Sequence, residues 1–299
     1  MDSRVAVIGA GSLGCTLVAW LVEAGVDVVL CARSKIPGIA VELRADGRTL
    51  TPQVPVAYDP SEVEPVDIVL VTTKAQDTAD AAGWLPSLVG PGTVVVLVQN
   101  GIDHARRLEG LVSPDQVLPS LAYISSERTG PGRVVHQFGD RLVTPAGELG
   151  DRLRDVVGGS ALSVETVPDF LTASWQKLLG NLANNPTTAL TTGRMAVYAA
   201  APAVRDLARA ILEEGVTVGR AEGADLGPAS VQAVFDMVDR LAPDNGTSML
   251  YDRLAGRPLE HEHLTGAVVA AADRRGIPVP VNRTVLALLR GLNVTLAIS

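Results

Sequence analysis

Cysteine is scarce in this 299-residue chain. Only Cys15 and Cys31 are present, and they form no metal-ligand pattern with the four histidines. That count excludes a disulfide scaffold and points to a reducing compartment, the cytoplasm. No apolar run approaches the length of about 18 residues needed to cross a bilayer, so no membrane span is expected. Basic charge is also in short supply: 25 Lys and Arg stand against 33 Asp and Glu, a net charge of −8. Such a balance disfavours nucleic acid and anionic membranes as partners, and any affinity for phosphate must be local. The start, Met1-Asp2-Ser3-Arg4, runs straight into a strand-like segment with no charged leader, so export is not expected. What is plentiful is apolar, 47% of residues, which excludes a disordered chain and at this length fills two domain cores.

The first half alternates short runs of Val, Ile and Leu at 5–8, 27–31, 67–72 and 93–98 with longer stretches at 13–24 and 75–88. Continuous apolar runs bounded by Gly, Asp or Pro suit strands buried on both faces of a parallel sheet, and the longer stretches suit crossover helices. The pattern is α/β: a doubly wound, mostly parallel sheet of Rossmann type. Asp46-Gly47, inside 41–51, signals a hairpin insertion. From 117 to 144 strand follows strand around Gly130-Pro131-Gly132, expected as additional sheet closing the first domain. A helix is expected at 148–157 and a last strand at 162–166. After Pro168 the stretches 169–192, 202–224, 228–241, 247–255, 260–275 and 281–294 are helical in length and spacing. Asp169, Pro202, Pro228 and Pro280 supply start signals. The expected division is a nucleotide-binding domain over 1–168 and an all-helical second domain over 169–299.

Gly9-Ala10-Gly11-Ser12-Leu13-Gly14 follows the first expected strand and opens the first expected helix. In that setting Gly9 allows the tight turn, Gly11 lets the backbone approach a pyrophosphate, and Gly14 lets helix and strand pack closely. The helix N-terminus then faces the phosphates. The second strand ends without the carboxylate that accepts from a ribose 2′-hydroxyl; Arg33-Ser34-Lys35 stands there instead. A guanidinium suits a 2′-phosphate, so the expected cofactor is NADP rather than NAD. Lys74 and Asn100 end the third and fourth main strands, where ligands of open parallel sheets collect, although both residue types are also ordinary turn formers.

Reduction of a carbonyl creates an alkoxide-like oxygen that needs a positive charge and then a proton. Lys177, Asn181 and Asn185 are spaced to share one face of the 169–192 helix, about two turns long. Spacing alone leaves open an ordinary solvated stripe with a kink at Pro186. Ser248 reads either as a helix cap or as a polar ligand group, and Glu260 as a first-turn carboxylate or a site residue. Glu260-His261-Glu262-His263 resembles a metal cluster, but only 260 and 263 share a helical face and no third ligand is evident, so no metal is expected.

Taken together these residues resemble the ketopantoate reductase (2-dehydropantoate 2-reductase) family over nearly the whole chain. The resemblance is carried by the glycine loop, Arg33, Thr73-Lys74-Ala75, Gln99-Asn100-Gly101, Trp175-Gln176-Lys177-Leu178 with Asn181 and Asn185-Pro186, Ser248-Met249, Glu260, and Gly276-Ile277-Pro278-Val279-Pro280-Val281-Asn282. It implies NADPH-dependent reduction of 2-dehydropantoate to (R)-pantoate, on the way to pantothenate and coenzyme A, in a cleft between the domains. It implies Lys177 as general acid and Asn100, Asn181, Asn185 and Ser248 as substrate contacts. Gly9, Ala10, Gly11, Ser12, Leu13, Gly14, Arg33, Lys74, Asn100 and Glu260 fall to the cofactor. Two departures border the expected pocket: no asparagine occurs in Gly193-Arg194-Met195, and Glu260 is followed by His261-Glu262 and later Thr265-Gly266. They bear on which small 2-oxo acid is taken. The alternatives are a related reductase of another 2-oxo or β-keto acid and a non-catalytic NADP(H) sensor. A homodimer through an apolar face of the helical half stands as one expectation, although sequence alone does not distinguish such a face from the half's own core.

Overall fold

In β1 (Arg4–Ile8), Val5 and Val7 enter one apolar core while Ala6 and Ile8 enter another. A strand sealed on both faces needs no polar alternation, which is why its sequence is continuous Val, Ala and Ile. The structure is a computed structural model and describes residues 3–298. It divides into two compact units, Met1–Phe170 and Leu171–Ser299, against an expected division after 168. Met1, Asp2 and Ser299, at the outer ends of the expected domains, lie outside the described residues.

In chain order the first unit continues with α1 (Ser12–Glu23), β2 (Asp27–Cys31), β3 (Ala40–Leu43), β4 (Thr49–Leu50), β5 (Val56–Ala57) and β6 (Val66–Val71). There follow α2 (Thr78–Ala82), α3 (Leu85–Leu88), β7 (Val89–Leu97), α4 (His104–Arg107), β8 (Val117–Pro119), β9 (Leu121–Gly130), β10 (Arg133–Pro145), α5 (Glu148–Val157) and β11 (Ser163–Val167). The main sheet has the order β5-β2-β1-β6-β7-β8, and every pairing in it is parallel. The chain leaves β1 toward β2 on one side and returns to β6 on the other. The carboxyl ends of β1 and β6 therefore flank the crevice where an open α/β sheet binds its ligand.

One expectation for this unit needs correction. The single helix expected over 75–88 is broken into one 3₁₀ turn (Ala75–Asp77), α2 and α3. Gly83 interrupts it, and Pro86, which lacks an N–H, is admitted only in the first turn of a fresh helix. The strands over 117–144 supply the additional sheet expected of them: β8 joins the main sheet, and β9 and β10 build a second one with the hairpin β3–β4 and with β11. β10 pairs antiparallel with β9 and parallel with both β3 and β11, using its first half for one and its second half for the other. α1 fills the space between the two sheets, and its Leu17, Trp20 and Leu21 share a core with Val5, Val41, Val134 and Leu142.

The second unit is helical: α6 (Phe170–Thr191), α7 (Val197–Ala200), α8 (Pro202–Ala221), α9 (Pro228–Arg240), α10 (Ser248–Leu254), α11 (Thr265–Arg275) and α12 (Pro280–Ile298). The helix expected from 260 starts later. A 3₁₀ turn covers His261–His263, and Leu264 (φ −112°, ψ −88°) separates it from α11. Among the described residues, no helix is long and apolar enough to cross a membrane.

Candidate active site

The glycine loop has the geometry its sequence requires. Gly9 adopts φ +114°, a region open to glycine, and its N–H donates to the Cys31 carbonyl at 2.9 Å. A Cβ on Gly14 would collide with the Gly9 carbonyl oxygen and lie 2.6 Å from Thr72 Oγ1. A Cβ on Gly11 would meet nothing within 4 Å, so open space lies before the backbone there, as close approach of a pyrophosphate demands. Gly11 is the N-cap of α1 and makes no side-chain capping bond. Thr72, at the end of β6, donates through Oγ1 to the carbonyls of Ile8 at 2.9 Å and Gly9 at 3.1 Å, joining the two strand ends.

The neighbouring strand end is tied in by Gln99. Its amide donates to Thr73 Oγ1 at 3.1 Å and to the Lys74 carbonyl at 3.4 Å. Lys74 is the N-cap of the 3₁₀ turn that follows, and its side chain is half-buried. Asn100 is half-buried, and its carbonyl accepts from Arg107 Nη2 at 2.7 Å. Arg107 also donates to Gln99 Oε1 at 3.0 Å and pairs with Asp103, while His104 Nε2–H donates to the Gln99 carbonyl at 2.8 Å. Helix α4 thus clamps the turn that carries Asn100, with Gly101 at φ +110°. Arg33 stands apart from this network: its side chain is 74% exposed, and Nη1 lies 2.8 Å from Asp80 Oδ2.

In the helical unit, α6 carries Lys177 and Asn181, both half-buried, and Asn185, which is buried. Trp175, Leu178, Leu179 and Leu182 fill the opposite face with the core. Burial pushes the Lys177 ammonium down from 10.5 to about 8, and the Glu260 carboxylate acts in the opposite direction, partly offsetting it. Glu260 is itself buried at the start of the 3₁₀ turn, so the two charges named from sequence are brought into one electrostatic environment. Ser248 is exposed and is not the cap of α10. Thr247 is: its Oγ1 accepts from the Leu250 N–H at 3.2 Å. Thr188 Oγ1 lies 2.6 Å from Thr247 Oγ1, which ties the start of α10 to α6. Along α6, Asn184 Oδ1 and Asn185 Nδ2 are sealed from solvent and have no hydrogen-bond partner among the described residues.

Two family models match. Ketopantoate reductase PanE/ApbA covers residues 5–148, and its C-terminal counterpart covers 169–293. The chain belongs to the ketopantoate reductase family. It is 36% identical over 293 residues to a 2-dehydropantoate 2-reductase of Caulobacter vibrioides, covering 96% of this chain and 98% of that one. Against the 2-dehydropantoate 2-reductase of Mycobacterium tuberculosis it is 33% identical over 291 residues, with 97% of each chain covered. A solved PanE/ApbA family ketopantoate reductase from Ralstonia eutropha JMP134 superposes with TM-score 0.90 at 31% identity, covering 98% of this chain and 99% of that one. The dimeric ketopantoate reductase of Staphylococcus aureus gives 0.89 at 25% identity, again with 98% and 99% covered. The family is one of pyridine-nucleotide-dependent reductases acting on a small molecule.

Sequence reading missed several supporting residues of this ketopantoate reductase family member. Arg107 had a weak signal, an Asp103–Arg107 pair at i, i+4. Glu214 had none. It accepts from the Val281 and Asn282 N–H groups, each at 2.9 Å, and from the Asn282 amide at 2.8 Å. The Pro280-Val281-Asn282 part of the resemblance is therefore the capped start of α12.

Proposed function

We propose that this chain reduces 2-dehydropantoate to (R)-pantoate with NADPH, toward pantothenate and coenzyme A, with Lys177 as general acid. The observation that carries the reading is a desolvated lysine held near pH 8 beside a buried glutamate, in a chain 36% identical across its length to a 2-dehydropantoate 2-reductase. The nicotinamide cofactor, when bound, supplies the hydride that reaches the substrate's carbonyl carbon. The Gly9–Gly14 loop and the α1 N-terminus would hold its pyrophosphate, for which the open space before Gly11 is suited. Lys74 and Asn100 would flank it at the strand ends, and Arg33 would take the 2′-phosphate. Its exposed pairing with Asp80 is weak enough for a phosphate to displace.

At the reacting centre, Lys177 Nζ polarises the ketone oxygen and then gives it a proton. Glu260 opposes the desolvation that would discharge this lysine, and it would be the residue of the helical unit that serves the cofactor. Asn100, Asn181, Asn185 and Ser248 supply neutral donors that hold the substrate's carboxylate and hydroxyl without cancelling the lysine charge. A cytoplasmic location belongs to the same proposal, supported by Cys15 and Cys31, both free and buried. So does a homodimer, supported by Leu288 and Val294, exposed on α12; sedimentation velocity tests it. Lys177→Ala should lower kcat on the order of 10²–10⁴-fold while NADPH still binds, the range for a lost general acid. Near-normal turnover removes the lysine from the mechanism. In a panel of keto acids, another acid with kcat/KM about a hundredfold higher overturns the choice of substrate.

A further inference from the structure

We propose that Arg107 is a positioning residue for the pyridine nucleotide: its guanidinium orients the Gln99 amide and thereby holds the Lys74 and Asn100 turns in one register. The inference rests on the assignment of Lys74 and Asn100 to the cofactor. The two turns follow different strands, β6 and β7. The ladder between these strands runs to Leu97 beside Val71, and the Val98 N–H adds one bond to the Val71 carbonyl at 2.9 Å. Lys74 and Asn100 lie beyond it, where side chains take over the link.

Gln99 makes that link and is only 4% exposed. Its Nε2 donates to Thr73 Oγ1 at 3.1 Å, to the Lys74 carbonyl at 3.4 Å and to Thr78 Oγ1 at 3.1 Å. The Thr78 hydroxyl has one proton and directs it to the Ala75 carbonyl at 2.7 Å, so toward Gln99 it is an acceptor. The donor for Gln99 Oε1 is then Arg107 Nη1 at 3.0 Å. A guanidinium carries donors only and keeps its charge, so it admits the amide oxygen and turns the amide nitrogen toward β6. A flipped amide would set Nε2 against the guanidinium and Oε1 against the Lys74 carbonyl. The second arm, Nη2, donates to the Asn100 carbonyl at 2.7 Å. One rigid fork thus grips the Gln99 side chain and the backbone of the next residue, which a lysine's single ammonium does not reproduce. The Arg107 side chain is 5% exposed, and Asp103, 40% exposed, balances its charge. Packing alone would be served better by an apolar residue, because a buried charge carries a desolvation cost. Here two of its three acceptors belong to the turn that bears Asn100.

The test compares the wild type with Arg107→Met, Arg107→Lys and Gln99→Leu. For each protein NADPH Kd is read by fluorescence titration, kcat by reduction of 2-dehydropantoate, and folding by melting curves. Arg107→Met keeps the bulk of the stem and removes both bonds. It should raise the NADPH Kd about tenfold or more and lower kcat per folded molecule about tenfold to a hundredfold, the scale of a displaced binding group. Arg107→Lys keeps the charge without the fork and should still raise Kd about tenfold. Gln99→Leu, which cuts the link to β6, should do the same. Kd and kcat per folded molecule within about twofold of the wild type, with only the melting temperature lowered, assign Arg107 a purely structural role and overturn the inference. A lysine variant indistinguishable from the wild type overturns it too. Lys74→Ala and Asn100→Ala, measured in parallel, separate the two levels. If they weaken NADPH and the Arg107 variants do not, the cofactor assignment stands and the positioning role falls. If neither weakens NADPH, both fall. Should Arg107→Met fail to fold, the Arg107→Lys and Gln99→Leu titrations decide.

Discussion

With Lys177 as the proposed general acid, its ammonium should set a pH limit on the reaction, and burial gives the position and sign of that limit. Moving this lysine from 10.5 to about 8 is worth about 3 kcal/mol of differential interaction between its charged and neutral forms. Because burial favours the neutral amine, the folded chain binds fewer protons than the unfolded chain between about pH 8 and 10.5. The cost of burying the charge is fully present below about pH 8, and stability rises with pH across that window. Catalysis runs the other way, because a general acid must hold its proton. At pH 7 about nine-tenths of the lysine is charged, and at pH 9 about one-tenth, so kcat/KM should be flat below pH 8 and fall about tenfold per pH unit above it. Glu260→Gln removes the charge that raises the lysine pKa, so the alkaline limb should move to lower pH, each pH unit corresponding to about 1.4 kcal/mol. Initial rates from about pH 6 to 10 at saturating cofactor give the limb, and urea melts over the same range give the stability slope. A limb centred at pH 10 or above, or one that Glu260→Gln shifts upward, refutes the reasoning.

Arg33→Ala should weaken NADPH binding by about 1.5–3 kcal/mol while barely changing NADH, measured by fluorescence titration; equal losses mean that Arg33 does not read the 2′-phosphate. Gly14→Ala drives a methyl group into the Gly9 carbonyl and should destabilise the chain by about 1–3 kcal/mol in urea, with loss of nucleotide binding; a silent substitution shows that the loop is looser than described. Glu214→Ala leaves the Val281 and Asn282 N–H groups without their acceptor and the Asn282 amide with the Ile211 carbonyl alone, and should cost about 2–4 kcal/mol, with kcat per folded molecule unchanged.

What the sequence shows plainly is whatever a single segment decides. The centres of the runs that become β1, β2, β6 and β7 are continuously apolar because both sheet faces are covered, and the glycine spacing is forced by one carbonyl against one helix turn. α5 was expected with the bounds at which it occurs. What the sequence conceals is pairing between distant segments. Nothing near Arg133 announces that it will lie beside Ala40, and nothing near Glu214 announces that it will cap a helix beginning at Pro280. Local chemistry also allows close substitutes to exchange roles. Ser248 and Thr247 are both capping residues by type, and one hydroxyl contact from Thr188 accompanies the choice of Thr247.

The polar face of α6 is tolerable because its other face is packed so closely. Asparagine and proline disfavour a helix interior, and a desolvated ammonium adds its own cost. Against them stand Trp175, Leu178, Leu179 and Leu182, each nearly or fully buried. Two glycines of α8 admit that packing. A Cβ on Gly215 would stand 2.7 Å from Leu182 Cδ2, and one on Gly219 would stand 2.9 Å from Trp175 Cε3. α8 therefore gives up helix propensity at two positions so that α6 can approach closely. Arg253 adds to this at the far end, donating to the carbonyls of Ala189 and Leu190 where α6 runs out of backbone partners. A helix anchored on one side and at its end can carry unpaired amides and a half-buried lysine without unravelling. The rigidity that holds Lys177 in place is thus supplied by the packed face of α6, the glycines of α8 and Arg253.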